Sequence, residues 1–302
     1  MEIRNEHPGD EQAITQVNCQ AFASMDEAYI VEVMRRHWPT YQREFSVVAW
    51  DGPQAIGHVL MTPARIRLLD QTIDALAVGP VAVIPARQKQ GIGGQLLRHC
   101  HGIGASAGYA LSFLYGHRTY YPLHGYRPCF GGGKITLDPT RMPAATLALR
   151  AMPVCETDLP WLVACHAQEW HDVDFGWLWG PTLAQWTLPG LNAVVWWTDD
   201  GRRAAYTLKA RGRLCMLLAD DPDLARQVLW RLKPATIDLH PCGWFANHVL
   251  QQGWSSAEVG HEPSPSAMAC ELRPGMVDAC LAAQRTGRPT GGCMFPTPFL
   301  LC

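Results

Sequence analysis

Residues 81–97, VAVIPARQKQGIGGQLL, constrain this chain more than any other stretch. An apolar run closed by Pro85 passes through a basic turn into three glycines, and an apolar-periodic run follows. That order predicts a strand, a glycine turn and a helix, with the turn at the helix N-terminus. Backbone N–H groups at such a terminus attract an anion, and the helix dipole adds about half a positive charge. Lys89 adds a full one. A side chain at Gly91 or Gly93 would hold phosphate oxygens at a distance, so glycine there has a chemical reason.

Two nucleotide-binding folds use a similar turn, and neither fits. The dinucleotide fingerprint needs glycine at its sixth position, which is Leu96 here. The phosphate loop of nucleotide hydrolases ends in Gly-Lys-Ser/Thr, which this turn lacks. Gly102-Ile103-Gly104 falls late in the helix and reads as packing.

Upstream, Ile14, Val17 and Phe22, then Ile30, Val33 and Met34, predict amphipathic helices over 11–23 and 26–38. FSVVAWD and QAIGHVLMTPARIRL read as strands joined in a hairpin at Asp51-Gly52. TIDALAVGPVAVIP is a third strand, in which Gly79-Pro80 predicts a bulge because proline removes a ladder donor. Downstream, YALSFLYG is a strand, TYYPLHGYRP a short helix and turn, and GGKITLDP a closing strand. The expected class is α/β in the α+β sense: a mixed, mostly antiparallel sheet flanked by helices, with one strand–helix–strand crossover.

With 302 residues the chain exceeds the usual size of one domain. Ten of its twelve tryptophans lie between Trp161 and Trp254, and Pro139, Pro143 and Pro153 punctuate the stretch before them. A boundary near residue 145 follows. The second half repeats the order of the first: DLPWLVACHAQEW is a helix, NAVVWWTDDGRRAAYTLKARG a hairpin, RLCMLLA a strand and DPDLARQVLWRL a helix. ATIDLHP is then a strand, WFANHVLQQGW a short helix and SAMACEL a final strand. A shared order predicts duplication in tandem. Where the first half has its glycine turn, the second has ADDPDLAR, whose aspartates would repel a phosphate. The domains expected are 1–144, 145–273 and a tail over 274–302, beginning with a helical GMVDACLAAQ, whose apolar end would dock on the body or sit at a homodimer contact.

A net charge of −2 without any run of like charges argues against nucleic acid as the main partner. No apolar run approaches the ~20 residues that span a bilayer, and MEIRNEHPGDEQ lacks a signal-peptide core. Eleven cysteines without a C-x-x-C pair read as reduced thiols of a cytoplasmic protein.

GPVAVIPARQKQGIGGQLLRHC resembles motif A of the GCN5-related N-acetyltransferases (GNAT), whose signature is Q/R-x-x-G-x-G/A. The resemblance extends back to AIGHVLMTPARI and forward to LSFLYGHRTYYPLHGYRP, and so covers about residues 1–140. LYGHRTYYPLHGYRP is similar to the family's Y-Y-x-x-x-G-F element, with Tyr126 in place of the usual phenylalanine. The resemblance implies a GNAT fold that binds acetyl-CoA. The pantetheine arm would pair with the backbone of Val81, Ala82 and Val83. The pyrophosphate would sit on Lys89, Gln90, Gly91, Ile92, Gly93 and Gly94, with Gln88 opening the signature. A bulge at Gly79-Pro80 would splay the strand and free those groups, and a backbone N–H near Val81 would stabilise the oxyanion.

Direct transfer of acetyl to an amine requires a proton to leave the ammonium and the departing thiolate to be protonated. Tyr121, four residues before Gly125, matches the family tyrosine beside the CoA sulfur and is the expected general acid. His117, just after the strand, is expected to touch cofactor or substrate, and Tyr120 to be structural. Asp74, Glu44 and His58 are candidate bases, though each reads more readily as a surface carboxylate (Asp74, Glu44) or a hydrogen-bonded strand residue (His58), and a water chain could replace all three. His166 and Glu169 have helical i, i+3 spacing, but without a second pair elsewhere they predict solvated polar residues on a tryptophan-rich helix, not a metal site. Cys100 and His101 are adjacent in a helix and point apart, so no nucleophile pair is expected. The function expected is acetyl transfer to a primary amine of a small molecule, with a degenerate second domain. A protein or peptide acceptor, and a non-catalytic acyl-CoA sensor, are the alternatives.

Overall fold

The structure, a computed structural model, describes residues 1–131, 137–210, 212–233, 243–255 and 263–285. Contacts divide the described chain into two units: residues 1–130 with 264–285, and residues 131–263.

The first unit opens with β1 (Glu2–Asn5), α1 (Glu11–Phe22) and α2 (Asp26–His37). The meander β2 (Ser46–Asp51), β3 (Gln54–Leu68) and β4 (Gln71–Val83) follows, then α3 (Ile92–Ser106), β5 (Leu111–Tyr115) and β6 (Arg127–Pro128). Strands β1 to β4 pair antiparallel in sequence order, and β5 joins β4 in parallel. The hairpin between β2 and β3 turns on Gly52, whose φ of 56° suits glycine. α3 lies close on the sheet because Gly57 of β3 is bare: a Cβ there would stand 3.0 Å from Leu96 and 3.2 Å from Ile92. α1 and α2 bury Ile14, Val17, Ile30, Val33 and Met34, the periodic positions that define them.

One buried polar group ties these elements together. Glu6 accepts hydrogen bonds from Arg35 of α2 at 3.1 Å, from Tyr41 at 3.0 Å and from the Ser46 hydroxyl of β2. Its own N–H donates to the Ser46 carbonyl at 2.7 Å.

The strand read from SAMACEL belongs here and not at the end of the second half. As β12 (Ala267–Glu271) it lies between β5 and β6, pairing Met268 with Leu114 and Ala269 with both Phe113 and Arg127. Ala267, Met268 and Ala269 are fully buried, as a central strand requires. α8 (Met276–Arg285) follows, as expected for the start of the tail. The closing strand expected at GGKITLDP falls mostly on 132–136, outside the described residues.

The second unit comprises β7 (Leu149–Pro153), α4 (Leu159–Glu169), β8 (Phe175–Trp177) and α5 (Leu183–Trp186), then β9 (Asn192–Thr198), β10 (Arg203–Ala210) and β11 (Arg213–Leu218). α6 (Pro222–Leu232) and α7 (Trp244–Gln251) complete it. Its sheet runs β7-β9-β10-β11, all antiparallel, over a core that includes Leu217, Leu224, Val228, Phe245 and Val249. That path repeats β1-β2-β3-β4, with helices after the first strand and another after the fourth. β7 lies in the proline-rich stretch read as a boundary; of its five residues only Leu149 is buried, so no alternation marked it. ATIDLHP, residues 235–241, lies outside the described residues. Among the described residues no helix is long and apolar enough to cross a membrane.

His166 and Glu169 correct an expectation, because both are buried rather than solvated. His166 lies among Trp170, Trp179 and Trp186, and burial pushes its imidazole down to about 3. The Glu169 carboxyl accepts the Phe245 N–H at 3.0 Å in the first turn of α7. Burial pushes that carboxyl up to about 8 from 4.5, so between those values the folded chain holds a proton that the unfolded chain releases. Stability of this unit therefore falls as pH rises from about 4.5 to about 8 and is flat above. Glu169→Gln keeps an acceptor for Phe245 and removes the charge. Urea unfolding followed by tryptophan emission should show the variant more stable at pH 8, by on the order of 4 kcal/mol, and unchanged at pH 4.5.

Candidate functional site

The site begins with a change of register. β3 and β4 pair from Leu68 opposite Gln71 to Met61 opposite Val78, and resume at Val59 opposite Val81. Gly79 and Pro80 thus face Leu60 alone, which is the bulge the sequence predicts. On its other edge β4 pairs with β5 only from Ala75 opposite Leu111 to Ala77 opposite Phe113. Past the bulge the two strands part. Val81, Ala82 and Val83 keep their β3 partners Val59, His58 and Gly57, and among the described residues no strand pairs with their other edge.

That half-free strand runs into the glycine turn. Pro85–Arg87 form a single 3-10 turn, and the Gln88 side chain donates back to the Val83 carbonyl at 3.0 Å, tying turn to strand. Arg87 donates to the Gln90 side chain at 3.1 Å and pairs with Asp51. Lys89 and Gly91 both adopt positive φ, 61° and 77°. For lysine that conformation costs about 1 kcal/mol. Gly91 is the N-cap of α3, no side chain caps the helix, and the Gln95 N–H to Gly91 carbonyl bond of 3.1 Å begins its ladder. The N–H groups before Gln95 therefore remain outside the helix ladder, ready for an external acceptor.

The remaining glycines have a reason that sequence reasoning did not give. A Cβ on Gly93 would collide with the Tyr120 hydroxyl, and one on Gly94 with the His124 imidazole. The first turn of α3 is thus roofed by the segment that follows β5.

In that segment a 3-10 turn, Tyr121–His124, ends at Gly125 with φ 85°. The His117 carbonyl accepts the N–H groups of Tyr120 and Tyr121 at 3.3 and 3.4 Å, while its side chain is exposed. The Tyr121 ring fits against Gly116, where a Cβ would strike it, and stands edge-on to Tyr120 and Tyr126 at centroid distances of 5.1 and 5.6 Å. Burial, and then the Tyr120 phenol, raise the Tyr121 hydroxyl well above the ordinary phenol range. By accessible surface the Tyr121 side chain is half-buried. Tyr120 joins the two parts of the site, touching Gly93 on one side and Tyr121 on the other.

The candidate bases fare differently. His58 is fully buried, with Nδ1 held by the Asn18 amide at 3.0 Å and Nε2 by the Ser46 hydroxyl at 3.0 Å. Burial and then the Arg35 charge push it down to about 3, so it is a core residue without access to substrate. Asp74 and Glu44 are exposed; the Asp74 carbonyl accepts the Ala110 N–H at 2.9 Å. His101 does turn away from Cys100, toward Ser112 and Tyr126, a juxtaposition that no local pattern signals.

A family model described as an acetyltransferase (GNAT) domain matches residues 2–129. Over 127 residues the chain is 33% identical to an uncharacterized N-acetyltransferase of Escherichia coli K12, YjhQ, which covers 40% of this chain and 67% of that protein. Two solved structures resemble it over 90% of its length at 15% identity and a TM-score of 0.65, covering 72% of each of their own chains. One is a probable N-acyltransferase from Enterococcus faecalis V583, the other a GCN5-related N-acetyltransferase from Kribbella flavida. At that identity the likeness is one of fold.

The roof over α3 can be tested by substitution. Gly93→Ala should lower stability by about 1–3 kcal/mol through overpacking against the Tyr120 hydroxyl. Removing that hydroxyl leaves the new methyl facing the Tyr120 ring carbon at 3.5 Å, an ordinary contact. Gly93→Ala combined with Tyr120→Phe should then recover most of the loss in thermal unfolding; an equal loss in both backgrounds would place the strain elsewhere.

Proposed function

The chain belongs to the GNAT acetyltransferase family, and from that premise we propose that its first unit transfers acetyl from acetyl-CoA directly to the primary amine of a small molecule. The observation that carries this reading is the edge of Val81, Ala82 and Val83, unpaired among the described residues, leading straight into an uncapped helix N-terminus. An extended amide-bearing arm can pair with the first and a pyrophosphate can rest on the second. Lys89 adds charge beside that pyrophosphate.

In the reaction the amine nitrogen attacks the thioester carbonyl carbon and the carbon–sulfur bond breaks. A strand N–H near Val81 donates a hydrogen bond to the developing oxyanion. Tyr121 serves the departing sulfur. Its raised phenol lies above an ordinary thiol at about 8.5, so it stays protonated wherever the amine is free and acts chiefly by hydrogen bonding to the thiolate. The amine proton leaves through water, since His58 is sealed in the core.

The second unit reads as a degenerate copy. Its strand path repeats that of the first, and Asp221 stands where the glycine turn would be. The Asp221 carboxylate accepts the N–H groups of Asp223 and Leu224 at 2.9 and 3.2 Å, so the donors a phosphate would need are already engaged by a fixed negative charge.

Release of CoA from acetyl-CoA, followed with a thiol reagent across a panel of primary amines and lysine peptides, tests the reading. Tyr121→Phe should lower kcat roughly 100-fold with the KM for acetyl-CoA unchanged. The activity should rise with pH toward the pKa of the amine, without an alkaline fall from Tyr121 up to about pH 10. Tight binding of acetyl-CoA with no amine-dependent CoA release would make the protein a sensor, and a response to peptides alone would replace the small-molecule acceptor.

A further inference from the structure

Behind Tyr121 lie three polar side chains that the reaction as described does not use. Ser112 of β5, His101 of α3 and Tyr126, just before β6, form a closed triangle. Ser112 Oγ lies 2.8 Å from Tyr126 Oη, and each lies 2.9 Å from His101 Nε2. Ser112 and Tyr126 are 0% and 1% exposed, so a hydroxyl there without partners would cost about 1–3 kcal/mol. Burial, and then the His124 charge, push His101 down to about 4, which keeps the imidazole neutral. The triangle therefore fixes Tyr126 in one place by directional bonds, where a phenylalanine would be held by packing alone.

Tyr126 in turn holds Tyr121 twice. Its N–H donates to the Tyr121 carbonyl at 3.3 Å, and its ring meets the Tyr121 ring edge-on at 5.6 Å with an interplanar angle of 72°. Gly116 and Tyr120 close the other sides. The place of the Tyr121 hydroxyl is set by what grips the ring and the backbone.

We propose that Ser112, His101 and Tyr126 form a positioning network that aims the Tyr121 hydroxyl at the leaving sulfur. The network touches neither substrate and acts through Tyr121, so it rests on the acid role given to that residue above. It links the aim of Tyr121 to α3, the same helix whose first turn forms the anion site.

Tyr126→Phe is a mild probe, because Ser112 and His101 still bond each other at 2.9 Å when the phenol oxygen is gone. The experiment compares kcat, the KM for acetyl-CoA and the unfolding temperature for Tyr126→Phe, Tyr121→Phe and the double variant, with the best amine of the panel. Tyr126→Phe should lower kcat roughly 10-fold, leave KM unchanged, and cause no further loss once Tyr121 is phenylalanine. Ser112→Ala should behave in the same way. An unchanged kcat in Tyr126→Phe, or an equal loss in both backgrounds, overturns the network while leaving the acid role standing. An unchanged kcat in Tyr121→Phe overturns the acid role, and the network falls with it.

Discussion

The first unit depends on a single mismatch in its sheet. By setting Gly79 and Pro80 against Leu60 alone, β4 turns out of line with β5 after Ala77. A continuous ladder would have satisfied both edges of Val81–Val83 and left no place for an extended ligand. The mismatch instead leaves one edge paired and the other open, and delivers the chain into the turn before α3. The edge of Val81–Val83 that no described strand pairs is a consequence of where two neighbouring strands stop pairing. Proline is suited to that position because it has no ladder hydrogen to lose.

On the reading proposed above, the two units make one strand path receptive to an anion in one case and closed to it in the other. Both follow a fourth strand with a helix whose first N–H groups need acceptors. At α3 the cap is Gly91, which supplies no acceptor. At α6 it is Asp221, whose carboxylate takes two of the donors. A tethered carboxylate has a large entropic advantage over any free phosphate, and its charge repels what it does not displace. Capping α6 in this way costs the second unit nothing, since a good N-cap stabilises a helix by about 1 kcal/mol. What α3 gives up in local stability, the roof of Tyr120 and His124 over Gly93 and Gly94 offsets by packing.

Much of this was legible in residue order. The strand–turn–helix around Gly91, the bulge at Gly79-Pro80 and the hairpins at Gly52 and Gly201 follow from local rules about glycine and proline. What lay hidden is non-local. Nothing within AMACE says that β12 enters the first sheet between β5 and β6, since small buried residues suit any central strand. The environment of His58 depends on Asn18 and Ser46, 40 and 12 residues away. His166 and Glu169 keep the spacing of an amphipathic face, yet their helix is covered on that face by tryptophans and α7. Gly93 was legible as necessary, but its steric reason lies in a tyrosine 27 positions downstream.

The half-buried position of Tyr121 carries a chemical trade in the role proposed for it. A phenol in a wet site would titrate nearer 10 and would be the stronger acid, but water would compete for its proton and its direction would wander. Enclosing the ring between Gly116, Tyr120 and Tyr126 weakens the acid and fixes it. For a thiolate leaving group that exchange is favourable. Thiolate is already a competent leaving group, so full proton transfer adds little, whereas an aimed donor in a dry pocket stabilises charge on sulfur as it forms. In the proposed transfer the rate then depends on the direction of one O–H bond. A pocket that relies on direction more than on acidity needs rigid walls, and here one of those walls is itself a hydrogen-bonded tyrosine.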